Sequence, residues 1–321
     1  MKKYGFSIIT PVYNREDCLQ KSIDSVSCQT YSNYEHIIIN DGSTDLTQNI
    51  ITLTQKGKKE KIVTLKLDEN KGPNCARNLG IQNAKKQYVV FLDSDDQLIP
   101  EALEIINNCI SANPNYATYL FLNSDKRNFA EKNEILRNNQ YVLNFKDHLS
   151  ERITLSADLV YIFKTELLKK YPFEANLRIY ESTSYLQIFK ETESQYYEKK
   201  EIIIRNRKRK DAVSVENFLT NLKYISQAYK YYIFLIIHFY EDYKNLNLHK
   251  QFNKLIFRVL VLNKILKHSE ISIPVYSHEY IYHLSVFHKI TLNIPNILLK
   301  IIYVLWAQMK YYFYRLNIKL R

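Results

Sequence analysis

Several residues that commonly announce a function are scarce in this sequence or stand in uninformative places. Its four cysteines, Cys18, Cys28, Cys75 and Cys109, form no C-x-x-C pair, and none lies near a histidine at metal-ligand spacing. That argues against a zinc ribbon or a dithiol redox centre and leaves isolated, buried thiols in a reducing cytoplasm. Only 5 glycines occur in 321 residues, and no glycine-rich phosphate loop opens the chain, which removes the main support for a nucleotidyltransferase. There is no internal repeat. His278, His283 and His288 recur every five residues, which turns successive rings to different helix faces and offers no shared metal site. The N-terminal stretch MKKYGFSIITPVYN begins basic, but its apolar run is short, is broken by Pro11 and Asn14, and precedes no small-residue cleavage site. It reads as the first strand of the mature fold, so a cytoplasmic protein is expected.

Hydrophobic residues make up 46% of the chain, enough for a substantial core. The net charge of +12 is unevenly placed: residues 218–321 carry +10 of it, residues 111–217 carry +3, and residues 1–110 sum to −1. A nucleic-acid binder keeps its basic residues beside its recognition element. Here they lie far from every motif, so an anionic membrane surface is the expected partner and nucleic acid is not.

Three regions follow from the patterning. Residues 1–110 alternate short apolar strands, at Phe6–Thr10, His36–Asn40, Ile62–Leu67 and Tyr88–Leu92, with helical stretches. Asn14 is placed to cap a helix over Arg15–Ser27, Ser43 or Thr44 to cap the next, and Pro73 and Pro100 suit first helical turns. Residues 111–217 are mixed and more polar, with a strand at Glu201–Arg205. Residues 218–321 read as basic helices. This alternation predicts an α/β fold, a mostly parallel sheet flanked by helices, with an added C-terminal helical region. Ligands of such sheets bind outside the carboxyl ends of the strands. The segments after strands one, two and four, Thr10-Pro11-Val12-Tyr13-Asn14, Asp41-Gly42-Ser43-Thr44-Asp45 and Asp93-Ser94-Asp95-Asp96, should therefore collect along one edge.

The last of these carries the sharpest chemistry. Three carboxylates within four residues repel one another unless a cation or buried donors compensate. At a strand end Asp93 and Asp95 can point to one side and converge on a hard divalent ion, Mn²⁺ or Mg²⁺, with Asp96 the less certain third member. The plain alternative is a solvated acidic turn before the helix near Pro100.

SIITPVYN, DGSTD, NKGPNCARNLG and FLDSDD, in this order and at these spacings, resemble the N-terminal half of the family 2 glycosyltransferases. The resemblance implies a GT-A fold, residues 1–110 forming its nucleotide-sugar-binding half and 111–217 its acceptor-binding half. It implies an inverting, metal-dependent transfer of one sugar from a UDP-sugar to a glycan or polyprenyl-diphosphate-linked acceptor in surface-polysaccharide synthesis. By position, Pro11, Val12 and Tyr13 would line the uracil and ribose pocket, Asp41 would accept from the base edge and Arg77 would reach the nucleotide. Asp93 would hold the ribose or a metal-bound water, and Asp95 would ligate the metal.

Two places depart from or blur that pattern. Relatives usually supply the general base from a Glu-Asp pair opening a helix; here the pair reads Glu181-Ser182, and a serine is no base near neutral pH. Glu181 itself, another acid such as Asp158, or a loss of catalysis that leaves a nucleotide-sugar-binding subunit are the three readings. Arg207 and Arg209, in the run Arg205–Lys210, alternate on one strand face and could reach the diphosphate; a solvated basic loop is the alternative. Finally, residues 296–318 carry Lys300 and Lys310 within an apolar helical pattern around Trp306. That suits an interfacial helix on the inner face of the membrane or a helix packed on its own domain.

Overall fold

The computed structural model describes residues 2–57, 61–124, 133, 135–152, 159–177, 180–206 and 222–266. The chain divides into two compact units, Met1–Arg207 and Lys208–Arg321. One sheet runs through the first unit and spans both expected halves.

The strands are β1 (Phe6–Val12), β2 (Tyr34–Asp41), β3 (Ile62–Leu67), β4 (Tyr88–Phe91), β5 (Gln97–Leu98), β6 (Thr118–Asn123), β7 (Gln140–Asn144), β8 (Leu159–Lys164) and β9 (Ser194–Ile204). Their order is β3-β2-β1-β4-β8-β6-β9-β5, with β7 also on β9. The first four strands pair in parallel, as expected. The sheet as a whole is mixed, because β8 joins β4 and β6 antiparallel, and β9 takes β5 and β7 antiparallel but β6 parallel. The chain runs outward from β1 to β2 and β3, then returns to place β4 on the other side of β1. The strand order therefore reverses at β1 and β4, where such sheets open a ligand crevice.

Helices α1 (Leu19–Ser27), α2 (Thr47–Gly57) and α4 (Ala102–Ala112) cover one face, while α3 (Pro73–Asn83), α6 (Thr165–Lys170) and α7 (Ser182–Thr192) cover the other. A short α5 (Phe145–Leu149) follows β7 and is closed by a reciprocal cap between Asn144 and Asp147. Alternate β1 residues serve the two layers: Phe6 and Ile8 pack with Val26 and Ile106, Ile9 with Ala76 and Ile81. Burial on both faces explains why this strand is apolar almost throughout. Gly80 lets α3 lie close to the sheet, since a Cβ there would stand 2.6 Å from Ile9 and 2.9 Å from Ile39.

Two helix starts differ from expectation. Asn14 takes a positive φ of 49° and its side chain accepts from Thr44 N–H at 2.9 Å, so it staples two loops instead of capping, and α1 begins at Leu19. The start of α2 is capped by Asp45, whose carboxylate accepts from Thr47 N–H at 3.0 Å, rather than by Ser43 or Thr44. Of the cysteines, Cys18 and Cys109 are buried as expected, but Cys75 is only partly so and Cys28 is exposed.

In the second unit, α8 (Leu222–Asn245) and α9 (His249–Leu266) form a helical hairpin. Its turn is closed by Leu248 N–H donating to the Tyr243 carbonyl, and Phe252 packs against Tyr240 and Tyr243. Among the described residues no helix is long and apolar enough to cross a membrane. The candidate interfacial segment 296–318 lies outside the described residues.

Candidate active site

The loops after β1 and β2 are bound to each other by main-chain and side-chain hydrogen bonds. Asn14 N–H donates to Ser43 Oγ at 3.0 Å, Arg15 N–H to Thr47 Oγ1 at 2.7 Å and Leu46 N–H to Glu16 at 2.8 Å. These bonds fix the wall on which Tyr13 stands, 38% exposed and available for stacking. Pro11 beside it is partly exposed. Val12 does not line the pocket as expected, because its side chain is turned into the core against Leu19 and Ile23, leaving only its main chain for a ligand.

Asp41 ends β2 and is 3% exposed. Both its oxygens accept main-chain donors, Lys71 N–H at 2.8 Å and Gly72 N–H at 2.9 Å. Its neighbour Gly42 has φ +70°, and a Cβ there would meet the Glu69 backbone at 2.5 Å, so only glycine permits this close approach. Asp41 thus organises the loop before α3, and a contact to a base edge would use its remaining lone pairs.

The acidic turn after β4 is anchored from behind. Cys18 Sγ and Ser22 Oγ, on the α1 side, donate to the carbonyls of Ser94 and Asp93, at 3.7 and 3.5 Å. Exposure alternates: Asp93 and Asp95 are partly open, whereas Ser94 and Asp96 are buried. Asp96 turns toward the end of β9, where it accepts from Asn206 N–H at 3.1 Å and lies 3.6 Å from the Arg205 guanidinium. Burial, then the nearby Asp93 charge, push its carboxyl up to about 7, with Asp95 adding to the shift and Arg205 opposing it. Burial is the larger cause of that shift. The two open members, Asp93 and Asp95, are the carboxylates that could face a hard cation, although among the described residues no group of three or more His, Cys, Asp and Glu is placed to hold one.

Arg77, on α3, occupies the centre of the crevice. Its guanidinium donates to Asp93 at 3.0 Å and to Glu181 through the other terminal nitrogen, and it lies over the Phe91 ring at 5.9 Å. Burial opposes the charge, but the Glu181 and Asp93 carboxylates outweigh that cost and hold Arg77 firmly protonated. The side chains of Arg77, Glu181 and Asp93 are 12%, 22% and 46% exposed, so the bridge spans the floor of the cleft and its Asp93 end opens to solvent. Tyr185, on α7, is buried beside them, and burial, then Glu181, raise its phenol well above the ordinary range. Together with Phe91, Asn123, Tyr161 and Ile203 these residues line a cavity of about 100 Å³.

Glu181 stands immediately before α7, whose first residue is Ser182. The structure thus brings Arg77, Asp93 and Glu181 together, although they are separated by 16 and 104 positions from Arg77. Asp158, Arg207 and Arg209 lie outside the described residues. Sequence reasoning took Arg205 only as the start of a basic run and missed Tyr185 and two asparagines of α3, Asn74 and Asn78. The spacing of Asn74, Arg77 and Asn78, i, i+3 and i+4, was the available signal, because it places all three on one helix face.

Comparison with known proteins bears on the family and the fold. The family described as "Glycosyl transferase family 2" matches residues 7–174, ending shortly before Glu181. An uncharacterized glycosyltransferase of Rickettsia felis is 48% identical over 99 residues, 31% of this chain but only 16% of that protein. The GalNAc(5)-diNAcBac-PP-undecaprenol beta-1,3-glucosyltransferase of Campylobacter jejuni is 28% identical over 216 residues, 65% of this chain and 67% of that one. Among solved structures, S. aureus TarS 1–349 in complex with UDP-GlcNAc superposes with a TM-score of 0.59 at 17% identity, covering 99% of this chain and 93% of that one. The mannosyltransferase PcManGT from Pyrobaculum calidifontis, in complex with GDP-Man and Mn²⁺, gives 0.56 at 14% identity, covering 97% and 88%. At these identities the structural likeness speaks to the fold alone, which is GT-A.

Proposed function

The chain belongs to glycosyl transferase family 2, and on that premise we propose that it is an inverting transferase moving one sugar from a UDP-sugar to a glycan or lipid-linked acceptor. The observation that carries this reading is the Arg77 bridge. It joins a carboxylate at the end of β4, on the donor side, to a carboxylate at the start of α7, where an acceptor hydroxyl would arrive.

In this reading Tyr13 stacks on the uracil, Asp41 holds the loop that shapes the base pocket, and Arg77 neutralises negative charge beside the donor. Glu181 takes the proton from the acceptor hydroxyl as its oxygen bonds to the anomeric carbon. The bond from that carbon to the diphosphate oxygen breaks on the opposite face, and UDP leaves. Ser182 has no basic group for that task. Asp93 and Asp95 would hold Mn²⁺ or Mg²⁺, which when bound supplies charge neutralisation at the departing diphosphate. The name of the Campylobacter relative, a transferase acting on an undecaprenol-linked glycan, supports a lipid-linked acceptor. The +10 charge of residues 218–321 supports an anionic membrane as the place where it is met.

The test is UDP release from a panel of UDP-sugars with Mn²⁺ and a polyprenyl-diphosphate-linked glycan, presented in anionic and in neutral vesicles. Release that needs the acceptor and is faster on anionic vesicles is expected. Tight UDP binding without release from any donor would instead favour a nucleotide-sugar-binding subunit that has lost catalysis, the reading to which Ser182 points.

A further inference from the structure

We propose that Asn74 and Asn78 are positioning residues that hold the chain leading to Glu181, an inference that rests on the reading of Glu181 as the base. The two amides share one face of α3 with Arg77 and reach across about 100 residues of sequence to the segment Pro172–Leu177. Asn78 pairs with Phe173 in both directions: its amide donates to the Phe173 carbonyl at 2.8 Å, and its oxygen accepts from Phe173 N–H at 2.9 Å. Such a reciprocal pair fixes the height of the segment and the tilt of its peptide planes, as a neighbouring strand would. Asn74 is buried, and its amide donates to the carbonyls of Glu174, at 3.2 Å, and Leu177.

The rest of the segment is held just as closely. The Phe173 ring lies between Phe91, at 5.4 Å, and Tyr185, at 5.8 Å, while Ser184 Oγ of α7 donates to the Pro172 carbonyl at 2.8 Å. The same α3 face then receives the Glu181 carboxylate on Arg77. One helix therefore places the base through its charge partner and also places the backbone from which the base departs. The oxygen of Asn74 is buried without a partner, so this side chain leaves its own hydrogen-bonding capacity unmet while gripping two carbonyls.

The measurement is turnover of the full chain with Mn²⁺ and whichever donor of the UDP-sugar panel is active, for Asn78→Ala and Asn74→Ala in the native and the Glu181→Gln backgrounds. In the native background kcat should fall about 10- to 100-fold, as expected for a displaced catalytic group, while donor KM and UDP affinity stay within about twofold. In the Glu181→Gln background the same substitutions should leave the residual rate unchanged, because the group they position is already gone. If Asn78→Ala does not fold, Asn78→Ser, which removes the reciprocal amide pair without placing a charge against the Phe173 carbonyl, should show a loss with the same dependence on Glu181. Losses of equal size in both backgrounds, or no loss in the native one, overturn the positioning role while leaving Glu181 as the base. A native rate in Glu181→Gln, or no turnover of any donor by the native chain, removes the base itself and this inference with it.

Discussion

On one wall of the crevice, Tyr13, Asp41 and Asp93 stand at or just beyond the ends of three adjacent parallel strands, in loops tied to one another by short-range turns and neighbouring-loop hydrogen bonds. On the other wall, Glu181 stands before a helix, on a stretch of chain gripped by Asn74, Arg77 and Asn78. Strand ends are rigid because the sheet ladder on either side restrains them, so the first wall needs little outside help. The second wall has no ladder and is placed largely by side chains of α3, with Ser184 of α7 and the packing of Phe173 adding to them. That makes α3 the element on which both walls depend. A change in it should be felt on both sides, whereas a change in the acidic turn should be felt on one.

The largest effect expected from this comparison is at Asp95. Asp95→Ala should lower turnover by about 10³-fold or more and remove the metal dependence of UDP binding, since several kcal/mol of charge stabilisation go with the ion. Isothermal titration of UDP with and without Mn²⁺ reads this directly, and an unchanged metal dependence would take the ion away from the acidic turn. Next comes Arg77, where the walls meet. Arg77→Gln should cut kcat by about 10²-fold and also lower unfolding stability by about 1–3 kcal/mol, because two partly buried carboxylates lose their common partner. If only UDP affinity changed, with stability and kcat intact, the bridge to Glu181 would have no part in catalysis.

A third comparison, read from stability and not from turnover, tests whether the two halves of the sheet unfold together. His36, in β2, and His148, in α5, are fully buried, and burial lowers both imidazoles to about 3. His36 contacts Thr10 Oγ1 at 3.0 Å, and His148 stacks on Phe189 with ring centres 4.2 Å apart. In the unfolded chain both would take protons from about pH 6.5 downward, so the unfolded state binds more protons throughout the window between about 6.5 and 3. Stability is therefore fully present above that window and is lost as pH falls into it, by about 2 kcal/mol per imidazole at pH 5. Urea unfolding at pH 7 and pH 5 should show one transition moving by the sum of both terms. Two transitions, each moving by one, would mean that the parallel half and the rest of the sheet are separate cooperative units.

The parallel half was legible before any coordinates because its signals are local. Apolar runs of β-branched residues mark β1 to β4, Pro73 opens α3, and the polar segments after β1, β2 and β4 converge as the strand-end rule requires. Local signals also misled in small ways. Asn14 has the chemistry of a helix cap, yet its amide was drawn to Thr44 on the neighbouring loop, which local sequence does not reveal. Val12 sits within a binding motif, but burial of β1 on both faces took its side chain into the core.

By itself, then, the sequence determined the order of strands and helices in residues 1–110, the gathering of Asp41 and Asp93 at one edge, and the family to which these motifs belong. Periodicity, capping and strand ends depend on neighbours within a few residues, and such information survives in a linear text. Only the tertiary structure decided that Asp96 turns away to Arg205 and Asn206, that the later strands make the sheet mixed, and that Arg77 joins Asp93 to Glu181. Each of these outcomes rests on contacts between residues far apart in the chain, selected by packing and by the need to pair buried charges and amides, and no local pattern specifies them.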